Sequence, residues 1–158
     1  MRLSPAIAFV TSVFLGSSVA AQGYQPIKSQ SVVSAMGDFA RICYGSYPTF
    51  KSAQDKAEPL GYSFFAPLES YINSTTGASI KVIDGSAAKV CSFSFVTEDP
   101  HSAFTKQMKT PFNAVLREVQ GMGRVYISQV EQGGLMIAST GTKMGNAIHY
   151  ELMLQVTK

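Results

Sequence analysis

The sequence predicts an α+β fold: a five-stranded antiparallel sheet with helices packed mainly on one face, in the order α-α-β-β-α-β-β-β. Three observations carry this. Residues 147–156 alternate strictly, with Ile148, Tyr150, Leu152, Leu154 and Val156 opposed to His149, Glu151, Met153 and Gln155. That is the period of a half-buried antiparallel strand. Val32, Val33, Met36, Phe39, Ala40 and Cys43 instead recur at helical spacing and form one apolar stripe. Finally, the two cysteines fall on inward positions of a helix and a strand, and these can meet only if the helix packs on the sheet.

The chain starts with a basic Met1-Arg2, a mostly apolar run from Leu3 to Leu15, and small residues from Gly16 to Ala20. This is the pattern of a secretory signal peptide. Residues 1–20 are read as that signal, with the cut after Ala20 or, as runner-up, Ala21. The apolar run is shorter than the roughly 20 residues a spanning helix needs. Residues 21–30 read as a flexible arm, and 31–158 as a single α+β domain.

The first helix begins at Ser31, with Ser29 or Ser31 as its cap, and stops at Tyr44-Gly45-Ser46-Tyr47-Pro48. A second, shorter helix follows Thr49, with Phe50, Ala53, Ala57 and Leu60 on its inner side and Gly61 as its terminator. Residues 61–78 read as a long aromatic loop carrying Tyr62, Phe64, Phe65 and Tyr71. Strands at 79–83 and 89–97 form a hairpin around Asp84-Gly85. In the second, Cys91, Phe93 and Phe95 share one face. Asp99-Pro100 starts a third helix, whose apolar contacts are Phe104 and Met108. Pro111 breaks it, and Phe112, Val115, Leu116 and Val119 continue it or begin another. Strands at 124–131, 135–140 and 147–156 close the chain. The order is profilin-like or PAS-like by analogy, and such folds host sensors, ligand binders and scaffolds alike.

Cys43 and Cys91 are the full cysteine complement, 48 positions apart. Export would place them in an oxidising compartment, where a single disulfide is the default. A free, reactive thiol is the alternative. No second cysteine or histidine lies near either one, so neither a redox pair nor a metal site is indicated.

The formal charge of +3 falls by one once Arg2 is removed, and the basic residues are scattered singly. That excludes a phosphate-tracking surface and gives no case for nucleic acid or anionic lipid. No nucleophile-elbow, zinc-protease, dinucleotide or P-loop motif occurs, and no cofactor is implied. The glycine-rich patches at 121–123, 133–134 and 141–145 read as turns. His149 and Glu151 point to the same face of one strand and could form an acid–base pair, or simply a polar outer face. His101 reads as a surface residue. Asn73-Ser74-Thr75 is a glycosylation sequon only where the host supplies the machinery.

The spacing of Phe39 and Cys43, then of Ala53, Ala57 and Gly61, then Cys91 on a strand, resembles small exported proteobacterial proteins of uncharacterised role. The resemblance implies export and a disulfide, and brings no catalytic residue with it.

Taken together, these features lead to an exported, periplasmic or secreted, non-enzymatic module that binds a protein or small-molecule partner, of inhibitor, immunity or sensor type. Tyr62, Phe64, Phe65 and Tyr71 are its candidate contacts, since aromatic side chains favour interfaces. The alternatives are a small hydrolase or transferase using His149 and Glu151, and a structural envelope component.

Overall fold

The computed structural model describes residues 28–157. The expected signal peptide at 1–20 and residues 21–27 of the expected arm lie outside the described residues.

Three short helices and nine strands make up the described chain. The helices are α1 (Val32–Phe39), α2 (Ala53–Ala57) and α3 (His101–Lys109). The strands are β1 (Tyr62–Phe65), β2 (Ser70–Asn73), β3 (Ser79–Asp84), β4 (Ala88–Thr97), β5 (Val115–Val119), β6 (Gly123–Val130), β7 (Gly134–Ser139), β8 (Thr142–Met144) and β9 (Ala147–Thr157). They form one antiparallel sheet in the order β1-β2-β3-β4-β9-β7-β6-β5, with β8 also paired to β9.

The expected five-stranded sheet with its α-α-β-β-α-β-β-β order is therefore incorrect. The five anticipated strands are present as β3, β4, β6, β7 and β9, but four more join them. The stretch 61–78 is not a loop: it folds as the hairpin β1–β2, in which Phe64 faces Tyr71 across the strands. The segment after Pro111 is not helix either. Val115–Val119 pairs with β6 as the far edge strand. Its Val115, Leu116 and Val119 suit a helical stripe as well as a strand, and an edge strand with one neighbour shows little contrast in burial to decide between them. The profilin-like and PAS-like analogies fall with the five-stranded count.

The core forms where β4 and β9 pair at the centre of the sheet. Cys91 lies opposite Leu154, Phe93 opposite Leu152, and Phe95 opposite Tyr150. All six are at most 1% exposed. Val32, Ala35, Met36 and Phe39 of α1 are buried too, and Phe39 meets Phe93 with ring centroids 6.0 Å apart. The helix then widens into a π turn, Ala40–Tyr44, in which Gly45 N–H donates to Ala40 O. The extra residue per turn lets Ile42 and Cys43 both reach the core. Cys43 is joined to Cys91 by a disulfide with its Cα atoms 5.6 Å apart.

Two polar contacts fix how α1 and α3 sit. Ser31 Oγ caps α1 by accepting from Ser34 N–H. Asp99, expected to cap α3, serves α1 instead: its carboxylate accepts from Val32 N–H at 2.7 Å. A carboxylate there satisfies an orphan donor and opposes the helix dipole. On the other side, α3 is seated by rings. Phe104 stacks on Tyr150 at 3.8 Å, Tyr150 Oη meets His101 Nδ1 at 2.9 Å, and Thr105 Oγ1 meets Tyr126 Oη at 2.9 Å. Gly141 permits this packing. It adopts φ +89°, and a Cβ there would come within 2.6 Å of the Tyr150 ring.

The last residues of the arm are tied down. Gln30 N–H donates to Val96 O, and Lys28 Nζ donates to Ser74 O.

Candidate functional site

The sequence-derived aromatic residues divide into two groups. Tyr62 is 2% exposed and belongs to the core, where its hydroxyl donates to Asp38 Oδ2 of α1 at 2.9 Å. Burial and the neighbouring carboxylate push the Tyr62 hydroxyl well above its usual pKa, and burial raises Asp38 in turn. Phe64 and Phe65 are 58% and 47% exposed, and Leu68 at the hairpin tip is 57% exposed. Phe64 lies against half-buried Tyr71 with ring centroids 5.3 Å apart. Val82 and Ile83 of β3 extend the apolar surface. Phe64, Tyr71 and Val82 line a shallow cleft of about 500 Å³ with Glu69, Lys81 and Asp84 at its rim.

Lys81 pairs with Glu69 across that rim at 3.8 Å, and Asp84 on the rim pairs with Lys89 of β4 at 3.9 Å. They are exposed enough to contribute little to stability. An apolar centre with a charged rim is the anatomy of a protein interface. The edge strand β1 has only four residues, and Pro67 follows in its turn. A short edge interrupted by proline offers little backbone for pairing with another strand. Contacts here would be made by side chains.

Asn73, the sequon residue, is 8% exposed. Its amide donates to Leu60 O, and its Oδ1 accepts from the backbone of Thr75 and Thr76. It organises the β2–β3 turn, and a glycan on its amide nitrogen would crowd the Leu60 contact.

His149 and Glu151 do share a face of β9, as their spacing requires. Glu151 sits opposite Ser94 in register, and His149 Nε2 lies 3.1 Å from Ser94 Oγ. Among the described residues no ion pair joins His149 to Glu151, and neither lines the clefts described here. Ser94 also accepts from Ser79 Oγ at 3.5 Å. These contacts make a polar row across the sheet. No cluster of three or more histidine, cysteine or carboxylate side chains suited to a metal occurs among the described residues.

A second cleft, which the sequence reading did not single out, opens at the opposite end of the molecule. It measures about 580 Å³ and lies between the π turn, the Pro111–Phe112 segment and the β6–β7 connection. Tyr44, Tyr47 and Phe112 supply its rings, with Tyr44 and Phe112 centroids 5.4 Å apart. Tyr47 bridges the β6–β7 connection, its hydroxyl donating to Glu131 O at 2.6 Å. Gly134 makes room for it, since a Cβ there would lie 2.4 Å from Tyr47 Oη. The segment Tyr44-Gly45-Ser46-Tyr47-Pro48 reads in sequence as a helix stop; two tyrosines around that stop were the available signal.

No family model, curated protein or solved structure gives a significant match to this chain. The roles of these surfaces therefore rest on their own chemistry.

Proposed function

We propose that the protein is an exported, non-enzymatic binding module that engages a protein partner through the β1–β2 hairpin and the adjoining face of β3. The observation that carries this reading is the exposure of Phe64, Phe65 and Leu68 on the hairpin: Phe64 lines the charged-rimmed cleft with Tyr71, Val82 and Ile83, while Phe65, next along the strand, points to the other face of the sheet. A chain with a well-filled core elsewhere gains nothing for folding by leaving large apolar side chains exposed on so short a hairpin, and exposed apolar surface of this kind marks interaction sites. Export to the periplasm or beyond is supported by the N-terminal signal pattern, by the resemblance to small exported proteins, and by the Cys43–Cys91 disulfide, which suits an oxidising compartment. No described helix is long and apolar enough to cross a membrane.

The test compares two forms of the mature, oxidised protein as bait in envelope extract. One is native and the other carries Phe64→Ala, Phe65→Ala and Leu68→Ala. The expected result is a discrete partner on the native bait, reduced at least tenfold on the variant at unchanged thermal midpoint. Equal recovery on both would rule out the hairpin as the interface.

A further inference from the structure

We infer that the cleft between the π turn and the β6–β7 connection is a binding site for a neutral saccharide, independent of the hairpin surface. Two structural irregularities meet in its lining, and two more lie beside it. The π turn Ala40–Tyr44 forms one wall, and such turns recur at functional sites. Gln132, on the rim, has φ +57°, and Asn113, next to Phe112, has φ +48°. Phe50, whose ring packs on Tyr47 with centroids 6.0 Å apart, has φ +55°. Thus one left-handed non-glycine residue, Gln132, lines the cleft itself, and two more, Asn113 and Phe50, adjoin residues that line it. Such backbone costs free energy and concentrates where geometry is needed for binding.

The side chains then define the ligand. The lining holds no lysine or arginine, so it is not built for an anion. The rings of Tyr44, Tyr47 and Phe112 offer faces for an apolar C–H surface. Gln129, Gln132 and Glu131 offer planar groups that pair with adjacent hydroxyls, the two amides both donating and accepting. Tyr44 Oη donates at long range to the thioether of Met136, at 4.0 Å, a weak acceptor whose contact leaves the hydroxyl's lone pairs able to accept from a ligand. A pyranose ring has both features, an apolar C–H face and a fringe of hydroxyls. The volume falls within the usual range of about 300–1,000 Å³ for small-molecule sites.

The chain has no tryptophan, so the readout is NMR of the mature, oxidised protein. Glucose, N-acetylglucosamine, maltose and chitobiose are the saccharide probes, with choline and inorganic phosphate as cationic and anionic controls. At least one saccharide is expected to give saturable shifts confined to Tyr44, Tyr47, Phe112 and residues 129–132. Tyr44→Phe, which keeps the ring, should weaken that binding a few-fold, and Gln132→Gly, which relieves the left-handed strain, should weaken it about tenfold. The hairpin triple variant should bind the saccharide unchanged. Silence across all four saccharides, shifts elsewhere, or saturation by choline or phosphate alone would overturn the inference.

Discussion

The centre of the sheet and its β1–β2 flank are built from the same kinds of residue and use them in opposite ways. At the centre, Phe39, Phe93, Phe95, Phe104 and Tyr150 are all at most 1% exposed and contact one another as a continuous run of rings. At the flank, Phe64, Phe65 and Leu68 stand about half exposed or more. The central strands run to ten and eleven residues and have partners on both sides; the flanking strands have four each. The difference teaches where apolar residues are already committed to folding and where they remain available for another molecule.

That contrast can be broken most severely at its centre. Phe104→Ala removes the ring stacked on Tyr150 and should cost about 3–5 kcal/mol in urea unfolding. If the loss is under about 1 kcal/mol, α3 does not seat on the sheet as described. Next comes the staple. Replacing Cys43 and Cys91 together by alanine opens a long loop and should cost about 2–4 kcal/mol. Asp99→Ala should follow, at about 1–2 kcal/mol, because the orphan Val32 N–H loses a charged acceptor.

The alkaline limb gives a smaller effect. Burial pushes the Tyr150 hydroxyl up to about 12. A folded pKa raised above the unfolded value of about 10 gives stability that is complete below pH 10 and lost as pH rises toward 12. By pH 11 the loss should be on the order of 1 kcal/mol, and Tyr150→Phe should flatten that limb relative to the native protein. The smallest effect belongs to the flank: the hairpin triple variant should shift stability by no more than about 0.5 kcal/mol.

How much of this was legible in the sequence depended on the length and burial of each element. The ten-residue alternation of β4 and the eleven-residue run of β9 were legible because both are flanked by neighbours and one face is fully covered. The Cys43–Cys91 pairing was legible too, since both residues sit on apolar faces. Strands β1 and β2, at four residues each, are too short to show a period, and Ala66-Pro67 between them reads as loop. β8 has three residues and exists only because β9 extends past the end of β7. Asp99-Pro100 signals a helix start correctly, yet the carboxylate turns to a helix 67 positions earlier, which no local pattern encodes. For the sites, aromatic richness drew attention to residues 62–71 but could not separate buried Tyr62 from exposed Phe64. The second cleft joins residues from 40 to 132, and only the fold brings them together.

The most direct test of the central claim is amide hydrogen exchange on the mature, oxidised protein, with and without envelope extract. Added protection should be confined to residues 62–73 and 79–84, with the slow exchange of β4 and β9 unchanged. Protection spread over the centre, or an unchanged hairpin while other segments respond, would contradict it.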